Sequence, residues 1–117
     1  MSPPTECTLA TIEGTYIFES QGNFILDEET ALPYVEAGTW TLDGNGNAEG
    51  VFSASLGNEI IEKEAFVATY THDSGCVFTA LAPVGENEFV QFDLYTSPSG
   101  QTMTYFGPGF SGTQRKQ

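Results

Sequence analysis

Hydrophobic and polar residues alternate along most of this chain, in short runs separated by residues typical of turns. The runs predict eight strands, at 14–20, 35–42, 48–56, 60–71, 76–82, 88–95, 101–106 and 109–114. Asn-Gly and Asp-Gly pairs between the runs supply the backbone conformations that tight reversals need. Because no long helical pattern interrupts the series, the sequence predicts an all-β protein, an eight-stranded antiparallel up-and-down barrel.

A small residue, then threonine, then a large aromatic ring occurs three times. The three copies are Gly14-Thr15-Tyr16, Gly38-Thr39-Trp40 and Ala68-Thr69-Tyr70. In a barrel such elements bring bulky rings into a common interior, beside small residues that let neighbouring strands approach closely.

Alternation within the strands predicts which side chains face inward. In the first three strands these are Tyr16, Phe18, Gly38, Trp40, Leu42, Gly50, Phe52, Ala54 and Leu56. Both faces of the fourth and sixth runs carry apolar residues, so their inner sets stay open. For the sixth run we expect a loop, or a second subunit of a homo-oligomer, to cover an outer apolar patch.

The stretch 22–34 has no clear alternation, although it contains Phe24, Ile25, Leu26 and Leu32. We predict that it forms a loop that arches across the mouth of the barrel as a lid.

The length of 117 residues fits one domain over 1–117, and the charge is strongly negative. Sixteen acidic and three basic residues give a net charge of -13. Such a surface repels phosphate, so nucleic acid and anionic membranes are poor partners. The charge favours solubility of an exported or crowded protein, with the binding of cations or basic partners as the alternative.

No apolar stretch reaches the ~20 residues that a membrane span needs. The polar start Met1-Ser2-Pro3-Pro4, followed closely by a cysteine, is like a mature terminus left after removal of a leader. We therefore expect a secreted or periplasmic protein with no membrane span.

The two cysteines, Cys7 and Cys76, are an even count in a small, acidic chain. This favours a disulfide that pins an N-terminal extension, residues 1–12, against the barrel wall. Two free, buried thiols are the alternative.

Candidate chemistry is sparse. The segment 43–49 has oxygen ligands at alternate positions, as a calcium loop does, but its twelfth position is Ala54 where a glutamate is needed, so we interpret it as a hairpin turn. With one histidine and two cysteines favoured as a pair, the usual zinc site is not expected. The sequence predicts no metal and no cofactor.

Three residues are weak catalytic candidates: His72, Asp93 and Tyr70. His72 lies in a predicted turn, where a general base or a merely solvated side chain are both consistent. Asp93 would gain a raised pKa if it faced the interior, whereas Glu19 is predicted to face outward. Tyr70 can donate a hydrogen bond inside an apolar cavity or simply pack with its hydroxyl at the rim.

An eight-stranded barrel is just wide enough either to be filled by side chains or to hold one small ligand. The aromatic residues fit the first outcome, and the small residues beside them fit the second. If a ligand site is present, the residues predicted to line it are Tyr16, Phe18, Trp40, Phe52, Tyr70 and Phe92.

Several short motifs carry a family likeness. They are Cys7-Thr8-Leu9-Ala10, Gly14-Thr15-Tyr16, Thr41-Leu42-Asp43-Gly44-Asn45-Gly46-Asn47, Ala68-Thr69-Tyr70-Thr71 leading to Cys76, and Ser111-Gly112-Thr113 before terminal basic residues. In these the chain resembles small exported proteins with an allene oxide cyclase-like barrel domain. The resemblance implies a calycin-type barrel with an apolar cavity, in a superfamily that includes cyclases and isomerases of unsaturated lipids, dirigent proteins and cycloaddition enzymes.

The chain is also similar to lipocalins, which carry Gly-x-Trp on the first strand near a C-terminal arginine. Here the Gly-x-Trp sequence, Gly38-Thr39-Trp40, falls on the second strand. This similarity implies that Arg115 packs on an aromatic ring at the closed end of the barrel.

Two functions remain open. In the first, the barrel binds a small hydrophobic or aromatic molecule without changing it. In the second, the same cavity is that of a cofactor-free cyclase or isomerase for an unsaturated lipid-like or polyketide-like substrate. A buried, conformationally fixed carboxylate or histidine would favour the enzyme, and a lining of rings and methyl groups alone would favour the binder.

Overall fold

A computed structural model describes residues 7–25, 27–85 and 88–117. Eight antiparallel strands pair in chain order and close into a barrel. They are β1 (Gly14–Ile25), β2 (Ala31–Leu42), β3 (Asn47–Leu56), β4 (Glu59–Ser74), β5 (Val77–Gly85), β6 (Glu88–Thr96), β7 (Thr102–Gly107) and β8 (Phe110–Lys116). The predicted all-β, up-and-down barrel is confirmed, and each of the eight predicted runs forms a strand.

The prediction of a lid over 22–34 is wrong, because most of this stretch belongs to the β1–β2 hairpin. β1 and β2 stay in register from Gly22 opposite Tyr34 to Ile25 opposite Ala31. Pairing satisfies the backbone hydrogen-bonding groups whether or not the side chains alternate cleanly. Leu26 lies outside the described residues, as do Glu86 and Asn87 of the turn predicted between β5 and β6.

One end of the barrel, here called the closed end, is formed by the connections after β2, β4 and β6 and by residues 7–13. A short 3-10 helix, Leu9–Ile12, plugs it. Cys7 and Ile12 are fully buried, and the Cys7 amide donates to the Gly75 carbonyl at 3.2 Å. The fully buried side chains Tyr16, Leu42, Phe78 and Leu94 also lie at this end.

Cys7 and Cys76 form a disulfide, with an S–S distance of 1.98 Å. The predicted bridge is confirmed, and it ties the described part of the extension, residues 7–12, to the start of β5. Residues 1–6 of that extension lie outside the described residues.

The inward faces follow the predicted alternation. Trp40 is only 2% exposed, which confirms its interior position. Glycines stand directly opposite large rings in the ladder, with Gly50 across from Trp40 and Gly38 across from Phe52. Small residues thus make room for the rings, as the recurring small–Thr–aromatic element predicts.

The strands that the sequence left open are settled by burial. β4 turns Ala68 and Tyr70 inward, and β6 turns Leu94 inward. Phe89 and Tyr95 are 64% and 46% exposed. No loop in the described part of the chain covers them, so the expected covering loop is wrong, while coverage by a second subunit stays a prediction. Glu19 is exposed, as predicted.

Among the described residues, no helix is long and apolar enough to cross a membrane.

Candidate functional site

The barrel is filled at the closed end and hollow towards the other, here called the open end. The hollow is a cavity of about 120 Å³. Its lining is Phe18, Tyr34, Glu36, Trp40, Phe52, Phe66, Ala82, Pro83, Val90, Phe92, Tyr105, Phe110 and Gln114. Eight of these are aromatic and one is a carboxylate, so a polar group stands in an otherwise largely apolar chamber.

The aromatic walls are held by ring-to-ring contacts. Phe18 packs edge-to-face on Trp40, Phe66 and Tyr105, with ring centroids 6.1–6.3 Å apart. Phe92 continues the wall, with its centroid 6.1 Å from Trp40 and 5.9 Å from Tyr105. Such pairs are stabilising beyond the area they bury and restrict rotation of each ring.

Glu36 is the carboxylate of the cavity, and three hydroxyl groups hold it. Its Oε1 accepts hydrogen bonds from Ser20 at 2.8 Å and from Tyr105 at 3.0 Å. Its Oε2 accepts one from Tyr34 at 2.5 Å. An ionised carboxylate is an acceptor only, and this arrangement presents donors to both of its oxygens.

The two tyrosines beside Glu36 are held in their protonated form. Burial raises the pKa of Tyr34 and of Tyr105, and the negative charge of Glu36 raises both further. Both phenols therefore remain hydrogen-bond donors to Glu36 over the ordinary pH range.

Trp40 is held in place by a hydrogen bond to a second polar residue of the cavity lining, Gln114. Its indole N–H donates to Gln114 Oε1 at 2.5 Å, and Gln114 is 4% exposed. A buried indole N–H needs such a partner. The bond links β2 to β8 across the barrel and sets the angle of the largest ring in the wall.

The structure divides the residues predicted to bind a ligand into two groups. Phe18, Trp40, Phe52 and Phe92 line the cavity. Tyr16 and Tyr70 lie at the closed end, outside the cavity lining. The Tyr16 hydroxyl donates to the Gly100 carbonyl, and the Tyr70 hydroxyl accepts from the Gly44 amide at 2.7 Å.

The three weak catalytic candidates are not brought together. His72 is exposed near the closed end, with Nε2 2.7 Å from the Gly75 carbonyl and its ring against Phe78. Asp93 lies on the outer face of β6, where Tyr95 donates to it at 3.4 Å. Tyr70 is the interior residue of the three, and it caps a turn.

Two smaller predictions have clear outcomes. The segment 43–49 includes a hairpin turn, as predicted, with Asp43 Oδ1 accepting from the amides of Asn45 and Asn47. The cation predicted to pack on a ring is not Arg115, which is exposed, but its neighbour Lys116, whose Nζ lies 5.6 Å from the centre of the Tyr16 ring. The alternation of β8 sends Arg115 outward and Lys116 back over the closed end.

Sequence reasoning missed Glu36, although a signal was present. Gly38, Trp40 and Leu42 were assigned to the inner face of the second strand, and the same alternation carried back two residues places Glu36 on that face. A carboxylate is rarely buried, so a pattern based on hydrophobicity passes over it. Of its three hydroxyl partners, Tyr34 is two residues away on β2, whereas Ser20 lies on β1 and Tyr105 lies 69 residues away on β7.

The fold and the site define a closed eight-stranded antiparallel barrel, consistent with a calycin or lipocalin-like form, with a carboxylate inside an aromatic cavity. Comparison with protein-family models gave no match, and comparisons with curated proteins and with solved structures gave none either. The allene oxide cyclase-like resemblance gains no support from them, and the site is interpreted from its geometry.

Proposed function

We propose that this protein binds a small hydrophobic or aromatic molecule inside the barrel. The observation that carries the proposal is the cavity of about 120 Å³ walled by eight aromatic rings. In another protein, an apolar cavity of roughly 150 Å³ takes up benzene. The ligand is therefore about the size of one ring with few substituents.

We further propose that the protein works outside the cytoplasm, as a secreted or periplasmic binder. The disulfide between Cys7 and Cys76 supports this, because such bonds persist in oxidising compartments. No cofactor is part of the proposal.

A filled-cavity variant tests the binding function. Ala82 lines the cavity, whereas Ala37 lies exposed on the outer face of β2. Ala82→Leu places a larger side chain into the cavity, and Ala37→Leu makes the same chemical change outside. We expect toluene to bind the natural chain and the Ala37→Leu variant but to lose at least ~10-fold in affinity for Ala82→Leu.

Binding is followed by calorimetry and by the emission of Trp40, the only tryptophan, which lines the cavity. Circular dichroism confirms that both variants are folded. Toluene binding that Ala82→Leu leaves unchanged would move the site out of the barrel, and no binding of any compact aromatic to the natural chain would refute the proposed function.

A second function, isomerisation, is favoured by one observation: a hydrogen-bonded carboxylate faces the cavity. In this alternative Glu36 takes a proton from the carbon beside the carbonyl of a compact unsaturated ketone. It then returns the proton to the far carbon of the resulting dienolate, so that only a double bond has moved. The cavity is too small for a full lipid chain, so this version of the enzyme hypothesis uses a one-ring substrate.

Deuterium exchange tests the isomerase. Incubation with 3-cyclohexenone in heavy water should give exchange and a shifted double bond above the buffer rate, read by nuclear magnetic resonance. Glu36→Gln should abolish the excess, and Glu49→Gln, an exposed glutamate on β3, should retain it. An excess rate that survives in Glu36→Gln would exclude Glu36 as the base.

A further inference from the structure

Among the residues that the structure describes, the carboxylate of Glu36 has no positively charged partner. The chain contains three Lys and Arg residues and one His. Lys63, Arg115 and His72 are exposed, and Lys116 lies over Tyr16 at the closed end. In the described part of the chain, therefore, no basic side chain lines the cavity. The partners of Glu36 are hydroxyl groups, which stabilise its charge but do not neutralise it.

A residue needed only to fill this space would be apolar, because moving a carboxylate out of water is costly. The three hydroxyls reduce that cost, and the half-buried Glu36 still faces the hollow of the barrel. An incoming group with positive charge and N–H donors would complete its pairing.

The walls suit a cation as well. The faces of aromatic rings carry negative charge density, and cages of such rings bind organic ammonium groups. Tryptophan attracts cations more strongly than the other aromatic side chains do. Trp40 lies beside Phe66 and Phe92 in the cavity wall. Tyr105, in the same wall, contacts Glu36. The net charge of -13 also raises the local concentration of cations around the molecule.

We propose that the cavity selects a small organic cation: a protonated amine attached to a compact aromatic or apolar group, with the ammonium at Glu36 and the apolar part against the rings. This rests on the proposed function, and it names the charge of the ligand, which that function leaves open. An amine of this kind fits the one-ring size of the cavity.

Three probes of one size and three charges test the selection. They are benzylamine, benzyl alcohol and benzoate, which are cationic, neutral and anionic at neutral pH. We expect benzylamine to bind at least ~10-fold more tightly than benzyl alcohol, as a charge-assisted hydrogen bond implies, and benzoate not to bind. Calorimetry in about 0.5 M salt screens the general attraction of the acidic surface.

Matched variants assign the effect to Glu36. Glu36→Gln and Glu49→Gln each remove one negative charge, the first inside the cavity and the second on the exposed face of β3. The preference for benzylamine should disappear in Glu36→Gln and persist in Glu49→Gln. If Glu36→Gln does not fold, the probe series on the natural chain still decides, together with contacts between benzylamine protons and the Trp40 indole seen by nuclear magnetic resonance.

The outcomes separate the two proposals. Equal affinity for benzylamine and benzyl alcohol would overturn the selection of a cation while leaving the binding function intact. Binding of none of the probes and of no neutral aromatic would overturn both. A benzylamine preference that vanishes in Glu49→Gln as well would assign it to overall charge, and that also overturns the proposal.

Discussion

Tyr105 joins the charged part of the cavity to its apolar wall. Its hydroxyl donates to Glu36 at 3.0 Å, and its ring contacts Phe18, Phe92 and Phe110. One side chain thus fixes the carboxylate and several rings at once. A phenol performs both tasks because it combines a large apolar ring with one polar atom at its end.

Removing only this hydroxyl should destabilise the protein. Tyr105→Phe keeps the ring but takes one donor from Glu36, and we expect the free energy of unfolding in urea to fall by about 1–2 kcal/mol. Tyr95→Phe is the control, because its hydroxyl lies on the outer face, 3.4 Å from Asp93. Equal losses in the two variants would contradict the role given to the Glu36 cluster.

The tyrosines also predict an alkaline limit of stability. Burial, chiefly, raises the pKa of Tyr16 to about 12 and raises the pKa of Tyr34, Tyr70 and Tyr105 above its usual value. A raised pKa means that the folded state favours the neutral phenol. The stability that the neutral phenols contribute is therefore fully present below their unfolded pKa near 10. It is lost as the pH rises through their pKa values in the folded state.

We therefore expect Tyr16, Tyr34 and Tyr105 to stay largely un-ionised at about pH 11 and to ionise together with unfolding at higher pH. Tyrosinate absorbance and circular dichroism, recorded on the same samples, measure the two events. Ionisation of Tyr16, Tyr34 and Tyr105 in a folded protein at pH 11 would contradict this expectation and show that the interior is open to hydroxide.

At the scale of elements, the β2–β3 pair depends on one close approach. Gly50 stands opposite Trp40, and a Cβ atom added to Gly50 would lie 2.1 Å from the Thr39 carbonyl oxygen and 2.6 Å from Trp40 Cβ. Neither atom is the end of a flexible side chain, so the strands themselves would have to separate.

Gly50→Ala should thus cost about 2–3 kcal/mol by overpacking and disturb the emission of Trp40. Gly75→Ala is the comparison: its φ of +54° disfavours alanine, but nothing lies within 4 Å of the added atom. That variant should lose about 1 kcal/mol and leave Trp40 unchanged. Urea unfolding and fluorescence distinguish the two, and an unchanged Trp40 in Gly50→Ala would contradict the close approach.

At the scale of the whole molecule, the disulfide and the cavity lie towards opposite ends of the barrel. The disulfide and the 3-10 helix Leu9–Ile12 close one end, and the cavity lies towards the other. Because the bridge spans 69 residues, it removes many conformations from the unfolded chain without contacting the cavity.

Loss of the bridge should therefore weaken the fold but not the site. In the Cys7→Ala/Cys76→Ala variant we expect the free energy of unfolding to drop by about 4 kcal/mol. The affinity for toluene, measured where the variant is still folded, should change less than ~2-fold. A parallel loss of affinity would mean that the plug at the closed end controls the cavity.

The sequence by itself determined the eight strands, the inward faces of the first three and the cysteine pair. These follow from local features: period-two alternation, turn residues, and a count of cysteines. The same alternation, carried two residues further, places Glu36 on the inner face, but sequence reasoning missed it because a carboxylate is rarely buried. Alternation did not predict the β1–β2 hairpin over 22–34, because backbone pairing rather than a side-chain pattern extends the strands there.

Only the tertiary structure decided where the interior is filled and where it is hollow. Tyr16 and Phe18 are two residues apart on one face of β1, yet the first packs at the closed end and the second lines the cavity. The hydroxyls around Glu36 come from strands up to 69 residues away. Closure of the barrel brings such residues together, and no local pattern encodes the distance between them, because packing depends on all eight strands at once.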